Sequence, residues 1–372
     1  MPSPPDPIFD DDRDLLPQRP RRTDHAIGVI GAGFIVDDVQ LVAYREAGLH
    51  VKAIASRTPD RARATAEAHD IPTVHETISD LLADPSLAII DVAVPPHAQG
   101  DIIREALEHD HVRGILAQKP LSTGYADAVA VVRACAEAGV PLAVNQNMRF
   151  DHSMRALKAL LSRGDLGESV LATIEMRAVP HWQDYLEGYE RLTLLNMSIH
   201  HLDVFRYLFG DPERVFASVR TDPRTTFAHR DGIVLSILEY EGGLRATAWD
   251  DVWVGPDALA DRGDAIRWRV EGTEGIACGT IGWPAFPERV PSTIDLTSRR
   301  YGDGWHRPRW PYAWFPDAFA GPMLSLMRAI EEGGPVPDVD GRDNLGTMAL
   351  VEACYRSLEG HRAVWIEDVI GG

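Results

Sequence analysis

The chain has 372 residues, of which 45% are hydrophobic and 25% are charged, and its formal net charge is -19 at pH 7. This length is sufficient for two domains, and the composition is typical of globular proteins. The strong negative charge disfavours binding to nucleic-acid phosphates, and no apolar run reaches the length of a membrane span. We therefore expect neither a nucleic acid nor a membrane as a partner.

The cysteines Cys135, Cys278 and Cys354 are far apart in the sequence. Their spacing lacks the Cys-x-x-Cys pairs of zinc sites, and it predicts neither a disulfide framework nor a metal centre. Free thiols suit a reducing compartment, so we expect a cytoplasmic protein that needs no metal.

Residues 1–24 are rich in proline and in charged residues and lack the apolar core of a secretory signal. This composition predicts a flexible or partner-bound arm.

A short apolar strand then runs into a Gly-x-Gly turn at Gly31 and Gly33. Gly31 permits a tight turn, and Gly33 lets the backbone approach a pyrophosphate. The helix-like segment that follows, with Phe34 and Ile35 at its entry, offers N–H groups to that anion. The third fingerprint position is Val36 instead of glycine or alanine, so a glycine-rich turn of another α/β protein is the alternative.

Between residues 26 and about 147, short β-rich runs alternate with helical segments, which is the pattern of a parallel α/β sheet. The predicted strands are Val29–Ile30, Val51–Ala55, Ala88–Val94, Gly114–Ala117 and Leu142–Val144. The predicted helices are Asp37–Ala47, Pro59–His69, Asp101–His109 and Ala126–Ala138. We therefore expect a Rossmann dinucleotide-binding domain over residues 25–148.

The second predicted strand ends in Ser56 and Arg57, without the carboxylate that bonds the ribose in NAD-specific folds. A hydroxyl followed by a guanidinium suits the 2′-phosphate of NADP, which gives a slight preference for NADP. Packing of Arg57 on the adenine ring would leave NAD as the cofactor.

After Phe150 the alternating segments become longer. The predicted strands are Val170–Arg177, Arg214–Val219, Ile233–Tyr240, Gly243–Trp249 and Ile266–Gly272. The predicted helices are Ser153–Arg163, Met197–Phe209, Phe319–Glu332 and Asn344–Leu358. This pattern predicts an α+β domain with a large, mostly antiparallel sheet over residues 149–372.

The helix expected over Met197–Phe209 carries a polar face formed by Asn196, His200, Asp203 and Tyr207. A polar face on an otherwise apolar helix indicates a site. The alternative for His200 is a core histidine with satisfied hydrogen bonds.

Lys119 follows the fourth predicted strand, at the edge where parallel α/β sheets bind their ligands. In a desolvated cleft a lysine loses proton affinity, and it can exchange a proton with a substrate hydroxyl or donate a hydrogen bond to it. A surface lysine before a proline turn is the alternative.

Two strand-end motifs, Val94-Pro95-Pro96-His97 and Ala117-Gln118-Lys119-Pro120, resemble those of the Gfo/Idh/MocA family of oxidoreductases, and the resemblance extends from about residue 25 to the end. It implies a Rossmann domain, an NAD(P) cofactor, a carbohydrate substrate and a C-terminal domain for substrate binding and oligomerisation. It also implies a homodimer or homotetramer formed through the open face of the C-terminal sheet.

The resemblance assigns roles to residues at matching positions. Gln118 replaces the glutamate of the family's Glu-Lys-Pro motif, which removes a negative charge beside Lys119. The family pattern Asp-x-Gly-x-His-x-x-Asp matches at His200 and Asp203, but Asn196 replaces the first aspartate and a serine replaces the glycine. Because an amide cannot accept a proton, we expect His200 as the base, with Lys119 and Asn196 orienting the reacting hydroxyl.

The segment 145–150 resembles the family's crossing between domains, where Asn147 and Arg149 either reach nicotinamide and substrate or only tie the domains together. The expected cofactor contacts are Gly31, Gly33, Phe34, Ile35, Ser56, Arg57, Pro95, Pro96, His97, Gln118, Lys119 and Asn147. The expected substrate contacts are Lys119, Arg149, Trp182, Asn196, His200 and Trp314.

Aromatic residues cluster in three stretches of the C-terminal half. Aromatic faces with interleaved polar groups suit sugar rings, and they equally suit subunit interfaces. Trp182, Trp310 and Trp314 are candidates for contact with substrate, with core packing as the alternative, whereas Trp249 and Trp253 are expected in the core or an interface. The two acidic residues after Trp249 are expected at a solvated edge.

These features favour an oxidoreductase that transfers hydride between nicotinamide and a hydroxyl of a sugar, a polyol or a sugar derivative. One alternative is an NAD-dependent glycoside hydrolase that works by oxidation, elimination, addition and reduction. Another is a non-catalytic dinucleotide-binding sensor, which would have no need of Lys119 and His200 together.

Overall fold

A computed structural model describes residues 8–9, 15–177, 184–251, 266–282, 286–302 and 304–371. They form two compact units. The first unit consists of residues 17–147 and 316–348, and the second contains the described residues of 1–16, 148–315 and 349–371. The sequence pattern placed everything after residue 148 in one domain, whereas residues 316–348 pack in the first unit.

The first unit contains a sheet of six parallel strands. They are β1 (Ile27–Ile30), β2 (Val51–Ala55), β3 (Thr73–Val74), β4 (Ile89–Val92), β5 (Gly114–Ala117) and β6 (Leu142–Val144), in the spatial order β3-β2-β1-β4-β5-β6. Every residue of β1, β4, β5 and β6 is buried, as expected for parallel strands with both faces covered. This strand order confirms the expected doubly wound Rossmann fold.

The α-helices among the described residues, in order, are α1 (Leu41–Ala47), α2 (Pro59–Ala68), α3 (Ile78–Leu82), α4 (Pro96–Ala106), α5 (Tyr125–Ala138), α6 (His152–Ser162), α7 (Ile199–Phe209), α8 (Ala320–Ala329), α9 (Gly341–Gly360) and α10 (Glu367–Ile370). A π-helical segment, Ile35–Gln40, leads directly into α1, and a second one, Leu194–Ser198, leads into α7. Helix α4 begins at Pro96, five residues before its predicted start at Asp101. Proline suits a first helical position, where the missing N–H has no partner to lose.

Helix α8 packs on β5 and β6 of the parallel sheet. A Cβ on Gly114 of β5 would lie 2.9 Å from Ile330 and 3.2 Å from Leu326. This close approach explains why the segment 316–348 belongs to the first unit.

The second unit contains an eight-stranded sheet in the order β13-β12-β11-β7-β10-β9-β8-β14. Its strands are β7 (Ser169–Arg177), β8 (Arg214–Arg220), β9 (Ile233–Glu239), β10 (Arg245–Asp251), β11 (Ile266–Gly272), β12 (Gly275–Thr280), β13 (Thr293–Ser298) and β14 (Val364–Trp365). Only β7 and β10 pair in parallel, which confirms the expected mostly antiparallel sheet. Strand β12 escaped prediction because it contains small residues; a Cβ on Gly279 would lie 1.9 Å from the carbonyl oxygen of Thr293.

Side chains alternate between the two faces of this sheet. Val215 and Ala217 of β8 are buried, whereas Phe216 between them is 39% exposed. Leu235 and Ile237 of β9 are similarly exposed. One face therefore forms the core of the second unit, and the other face, which we call the open face, presents apolar side chains to solvent.

The described parts of the N-terminal segment make defined contacts, beginning with Phe9, whose ring centroid lies 5.3 Å from that of Trp310. Leu15 is buried in the second unit, where its carbonyl oxygen accepts a hydrogen bond from Arg155. In the first unit Arg19 donates to the carbonyl oxygen of Ala47 (2.6 Å). Residues 15–24 are thus part of the packed structure and do not form a free arm. Among the described helices, none has the length and apolar character to cross a membrane.

Candidate functional site

The Gly-x-Gly turn follows β1 at the carboxyl edge of the parallel sheet. Gly31 has a φ of +124°, and a Cβ there would lie 2.2 Å from the carbonyl oxygen of Ala93, so only glycine fits. Gly33 is exposed, and no described atom lies within 4 Å of the place its Cβ would take. The turn thus combines the two features of a pyrophosphate cradle, a tight bend and open backbone.

The entry of the following helix is anchored to this turn. The carbonyl oxygen of Gly33 accepts the N–H groups of Val36 and Asp37, both at 2.9 Å. Phe34 and Ile35 therefore lie at the entry of the helical run, as the fingerprint predicts. Val36, the departure from the fingerprint, is buried in the core. The geometry fits a dinucleotide phosphate at this helix start.

Ser56 and Arg57 follow β2, at the same edge of the sheet. The Ser56 hydroxyl accepts the N–H of Thr58 at 3.2 Å, which orders the turn. Arg57 is exposed, so its guanidinium is accessible to a ligand.

Pro95, Pro96 and His97 follow β4. Pro95 caps α4, so Pro96 and His97 belong to the first turn of this helix and not to an extended strand exit. The strand predicted over 88–94 ends at Val92, because the chain turns there into the start of α4. A helix start at a strand's carboxyl end is again the arrangement used for anionic ligands.

The loop that carries Lys119 is held by a side chain that the sequence pattern did not identify, Gln99 of α4. Its Oε1 accepts the N–H of Gln118 at 2.8 Å. Its Nε2 donates to the carbonyl oxygens of Gln118 (3.0 Å) and Pro120 (2.8 Å). Gln99 is fully buried. It therefore fixes the backbone on both sides of Lys119.

Lys119 itself is half-buried. Burial lowers the pKa of Lys119 from 10.5 to about 7. Near neutral pH a large fraction of this amine is therefore unprotonated, as a group that exchanges protons with a hydroxyl requires.

Asn147 ends the first unit's contribution, after β6. Its Nδ2 donates to the carbonyl oxygen of Asn145 (3.2 Å) and to the Asn145 side-chain oxygen (3.3 Å). Both asparagines are buried. All residues predicted to contact the cofactor are thus gathered in the first unit, after β1, β2, β4, β5 and β6.

The remaining described candidates lie in the second unit. Asn196 sits in the π-helical segment that precedes α7, and His200 lies in the first turn of α7; both are buried. The His200 ring meets the edge of Trp314 with centroids 5.2 Å apart. The wider π turn shifts Asn196 from the face that uniform α-helical spacing predicts.

Arg149 forms a buried, two-pronged ion pair with Asp203 of α7. The Nε–Oδ2 distance is 2.6 Å and the Nη2–Oδ1 distance is 2.7 Å. Such geometry is the strongest form of this pairing. It gives Arg149 a structural partner inside the unit, beside the substrate role predicted for it.

Asp231 anchors the segment that carries Asn196. Its carboxylate accepts the N–H groups of Leu192 (2.7 Å) and Leu194 (2.9 Å) and the hydroxyl of Tyr355 (2.9 Å). A carboxylate at these N–H groups stabilises the start of a helix. A single acid in a loop gives no sequence signal of such a role.

The aromatic predictions have mixed outcomes. Trp182 and Trp253 lie outside the described residues. Trp310 packs against His152, with ring centroids 4.6 Å apart. Trp249 is half-buried on the open face of the sheet, and Trp314 is buried.

The expectation of a solvated edge at residues 250 and 251 is wrong. Asp250 and Asp251 are buried at the end of β10, which lies between β7 and β9 in the interior of the sheet. Asp250 Oδ1 lies 2.8 Å from His201 Nδ1. Asp251 Oδ2 lies 3.3 Å from Arg224 Nη2.

Two family models match most of the chain. Residues 25–146 match the model of an oxidoreductase family with an NAD-binding Rossmann fold. Residues 154–278 match the C-terminal domain model of the GFO/IDH/MocA proteins.

Individual relatives are similar over nearly their whole length. A D-apiose dehydrogenase of Paraburkholderia graminis is 27% identical over 350 residues, covering 92% of this chain and 89% of the relative. A D-xylose 1-dehydrogenase (NADP(+)) of Haloferax volcanii is 27% identical and covers 91% of this chain and 99% of its own. The crystal structure of an Agrobacterium radiobacter oxidoreductase with NAD+, L-tartaric acid and magnesium shares the fold, with a TM-score of 0.78, 24% identity, and coverage of 93% and 99% of the two chains.

The Gln99 contacts predict the effect of Gln99→Met, which keeps the volume but removes all three hydrogen bonds to the loop. We expect the free energy of unfolding to fall by about 2 kcal/mol or more, because backbone groups lose buried partners. We also expect kcat to fall at least about tenfold, because Lys119 loses its fixed position. Urea unfolding and steady-state kinetics measure the two effects.

Arg104→Ala is the matched control, since Arg104 lies exposed on the same helix and pairs only with exposed Asp101 among the described residues. Its unfolding free energy and kcat should stay close to wild type. A Gln99→Met protein with reduced stability but unchanged kcat would show that Gln99 supports the fold and not Lys119.

Proposed function

Because the chain belongs to the Gfo/Idh/MocA family of oxidoreductases, we propose that it is an NAD(P)-dependent dehydrogenase of a hydroxyl group on a sugar, polyol or related carbohydrate. The observation that carries the proposal is Lys119, an amine whose pKa burial lowers to about 7, held after β5 by Gln99. The bound dinucleotide supplies the hydride acceptor; proton handling falls to the chain's own side chains.

Three residues carry the chemistry in this proposal. Lys119 and Asn196 orient the reacting hydroxyl by hydrogen bonds, and His200 takes its proton. The unprotonated fraction of Lys119 near neutral pH lets this amine accept a hydrogen bond from the hydroxyl as well as donate one. The Arg149–Asp203 ion pair holds the segment before α6 against α7 and so supports the placement of His200.

The substrate class rests on the relatives. Similar dehydrogenases are named for the sugars D-apiose and D-xylose. Trp314 is buried against His200, with ring centroids 5.2 Å apart, so it supports the position of this histidine. A carbohydrate hydroxyl is therefore the substrate group that we propose.

For the cofactor we propose a preference for NADP over NAD. The tip of β2 offers the Ser56 hydroxyl and the exposed guanidinium of Arg57, which suit a 2′-phosphate. The Haloferax relative is named for NADP(+), whereas the Agrobacterium structure holds NAD+. The side chains at this tip therefore support NADP, and direct binding decides between the two.

We also propose that two or four copies associate through the open face of the C-terminal sheet. Phe216 and Ile237 are cross-strand neighbours there, and Leu235 lies on the same face of β9. Leu235 is 49% exposed and Ile237 46% exposed. An exposed apolar cluster of this kind is typical of a subunit interface.

The function is tested by turnover. Purified protein is mixed with a panel of sugars, polyols and aryl glycosides, each with NAD and with NADP, and absorbance of the reduced nicotinamide is followed. We expect net reduction with a free sugar or polyol. Lys119→Ala and His200→Ala should each lower kcat at least about 100-fold while the dissociation constant of the dinucleotide changes little.

Lys52→Met and His50→Ala serve as controls, because both residues lie on β2 or just before it and neither belongs to the proposed site. Aglycone release without net reduction would favour the glycoside hydrolase instead. Dinucleotide binding without any turnover would favour the sensor. Wild-type rates in both Lys119→Ala and His200→Ala would overturn the active-site assignment.

The low pKa of Lys119 is measurable directly by competitive acylation, because only an unprotonated amine reacts. The chain has just three lysines, Lys52, Lys119 and Lys158, which peptide mass spectrometry separates. The reactivity of Lys119 should rise with pH around a midpoint of about 7, with Lys52 as the internal reference. Oxidation of the hydroxyl should accelerate over the same range, because only the neutral amine can accept the hydrogen bond that orients the hydroxyl. A midpoint near 10.5 would contradict the proposed desolvation.

Arg57→Ala tests the cofactor preference. Loss of a charge-assisted contact to the 2′-phosphate should raise the dissociation constant for NADP at least about tenfold and leave that for NAD within about twofold. Arg61→Ala, an exposed arginine on α2, is the matched control. Equal weakening of both dinucleotides would show that Arg57 packs on adenine instead.

A further inference from the structure

The central strand β4 contains a fully buried acid, Asp91. Its Oδ2 accepts the hydroxyl of Tyr44 at 2.7 Å and a short hydrogen bond from the Nε2 of Gln40. Burial raises the pKa of Asp91 to about 7, against the opposing effect of these two donors. A carboxylate in such a place has to be held by directed hydrogen bonds.

Gln40 connects this acid to the loop of Lys119. The Nε2 end of Gln40 faces Asp91 and also donates to the Tyr44 hydroxyl at 2.9 Å. The Oε1 end accepts from Gln118 Nε2 at 2.8 Å and from Asn145 Nδ2 at 3.3 Å. Donor and acceptor ends of one amide are thus matched to opposite neighbours.

The orientation of the Gln40 amide follows from these contacts. If it turned over, its oxygen would meet the Asp91 carboxylate and its NH₂ group would meet the NH₂ groups of Gln118 and Asn145. Such like-to-like contacts are costly in a buried network. Because Asp91 accepts a hydrogen bond from Gln40, the oxygen of Gln40 faces Gln118 and requires a donor there.

We propose that Asp91 is a positioning residue for the active-site loop, because its carboxylate sets, through Gln40, which end of the Gln118 side chain is bound by Gln40, one residue before Lys119. The inference rests on the proposed function for the role of Lys119. We call the hydrogen bonds from Asp91 through Gln40 to Gln118 the relay. Gln99 fixes the main chain next to Lys119, and the relay fixes the side chain of Gln118.

The relay admits one carboxylate, at one of its two ends. A glutamate at position 118 would direct an acceptor at the Oε1 of Gln40, and Gln40 could not turn over while an ionised Asp91 acts only as an acceptor. Asparagine at position 91 relieves this conflict, because its NH₂ group can donate to a reversed Gln40, and only the longer contact with Asn145 (3.3 Å) then stays mismatched. With an acid at position 91, the side chain at position 118 therefore has to be a hydrogen-bond donor, as glutamine is.

The test is a double-mutant cycle on Asp91→Asn and Gln118→Glu. The readouts are the affinity for NAD and for NADP and the urea concentration at half-unfolding, all measured well above pH 7 so that Asp91 is ionised. Gln118→Glu alone should weaken dinucleotide binding at least about tenfold and lower the urea midpoint, whereas Asp91→Asn alone should change binding less than about threefold. The double variant should bind dinucleotide within about threefold of the Asp91→Asn variant and should have the same urea midpoint as that variant.

Restored binding in the double variant distinguishes the relay from independent structural roles of the two residues. Independent roles would make the losses caused by Asp91→Asn and Gln118→Glu add. Gln40→Met keeps the volume but breaks the relay, so the same two substitutions should act additively in that background. Additive losses with Gln40 intact would overturn the proposal. If Gln118→Glu alone does not fold, the double variant should still fold and bind dinucleotide, and its failure would equally overturn the proposal.

The cycle is independent of the activity tests. Full turnover by Lys119→Ala would refute the active-site assignment and leave the coupling between positions 91 and 118 measurable. A normal loss of turnover in Lys119→Ala combined with additive effects at 91 and 118 would refute the relay alone.

Discussion

The candidate site depends on one amide side chain placed inside an apolar core. Gln99 lies on the buried stripe of α4, together with Ile103 and Ala106, yet it donates two hydrogen bonds and accepts one. A buried amide is tolerated only when its hydrogen-bonding groups are satisfied, and here the partners are backbone atoms on either side of Lys119. The same hydrogen bonds that satisfy the buried amide of Gln99 therefore also fix the backbone on both sides of Lys119.

Much of the fold follows from local patterns in the sequence. Continuous apolar runs predict the buried parallel strands, and Gly31 predicts the turn that only glycine can make. Other elements depend on neighbours that are distant in sequence. The strand that contains Gly279 lacks a strand-like composition, because the adjacent strand approaches too closely for a side chain at this position. The π-helical segment before α7 has no distinguishing composition. The packing of α8 against Gly114 is likewise visible only in three dimensions.

The site was predictable in its location more than in its chemistry. A lysine after a parallel strand predicts a ligand edge, but the lowered pKa of Lys119 arises from burial, which no local pattern reports. Asp203 was identified by its motif, whereas its pairing with Arg149 depends on the tertiary structure. Two signals were nevertheless present: a glutamine within the apolar stripe of a helix, and Asp91 within an otherwise apolar strand.

The return of residues 316–348 to the first unit affects how the protein is made. The N-terminal sheet is translated first, but the surface of β5 and β6 that receives Leu326 and Ile330 stays uncovered until these residues leave the ribosome. About half of the chain is synthesised in that interval, including strands β7–β13 of the eight-stranded sheet. An exposed apolar surface during synthesis promotes aggregation, so the first unit is vulnerable until residues 316–348 pack on it. Fragments that end near residue 148 would keep that surface exposed permanently.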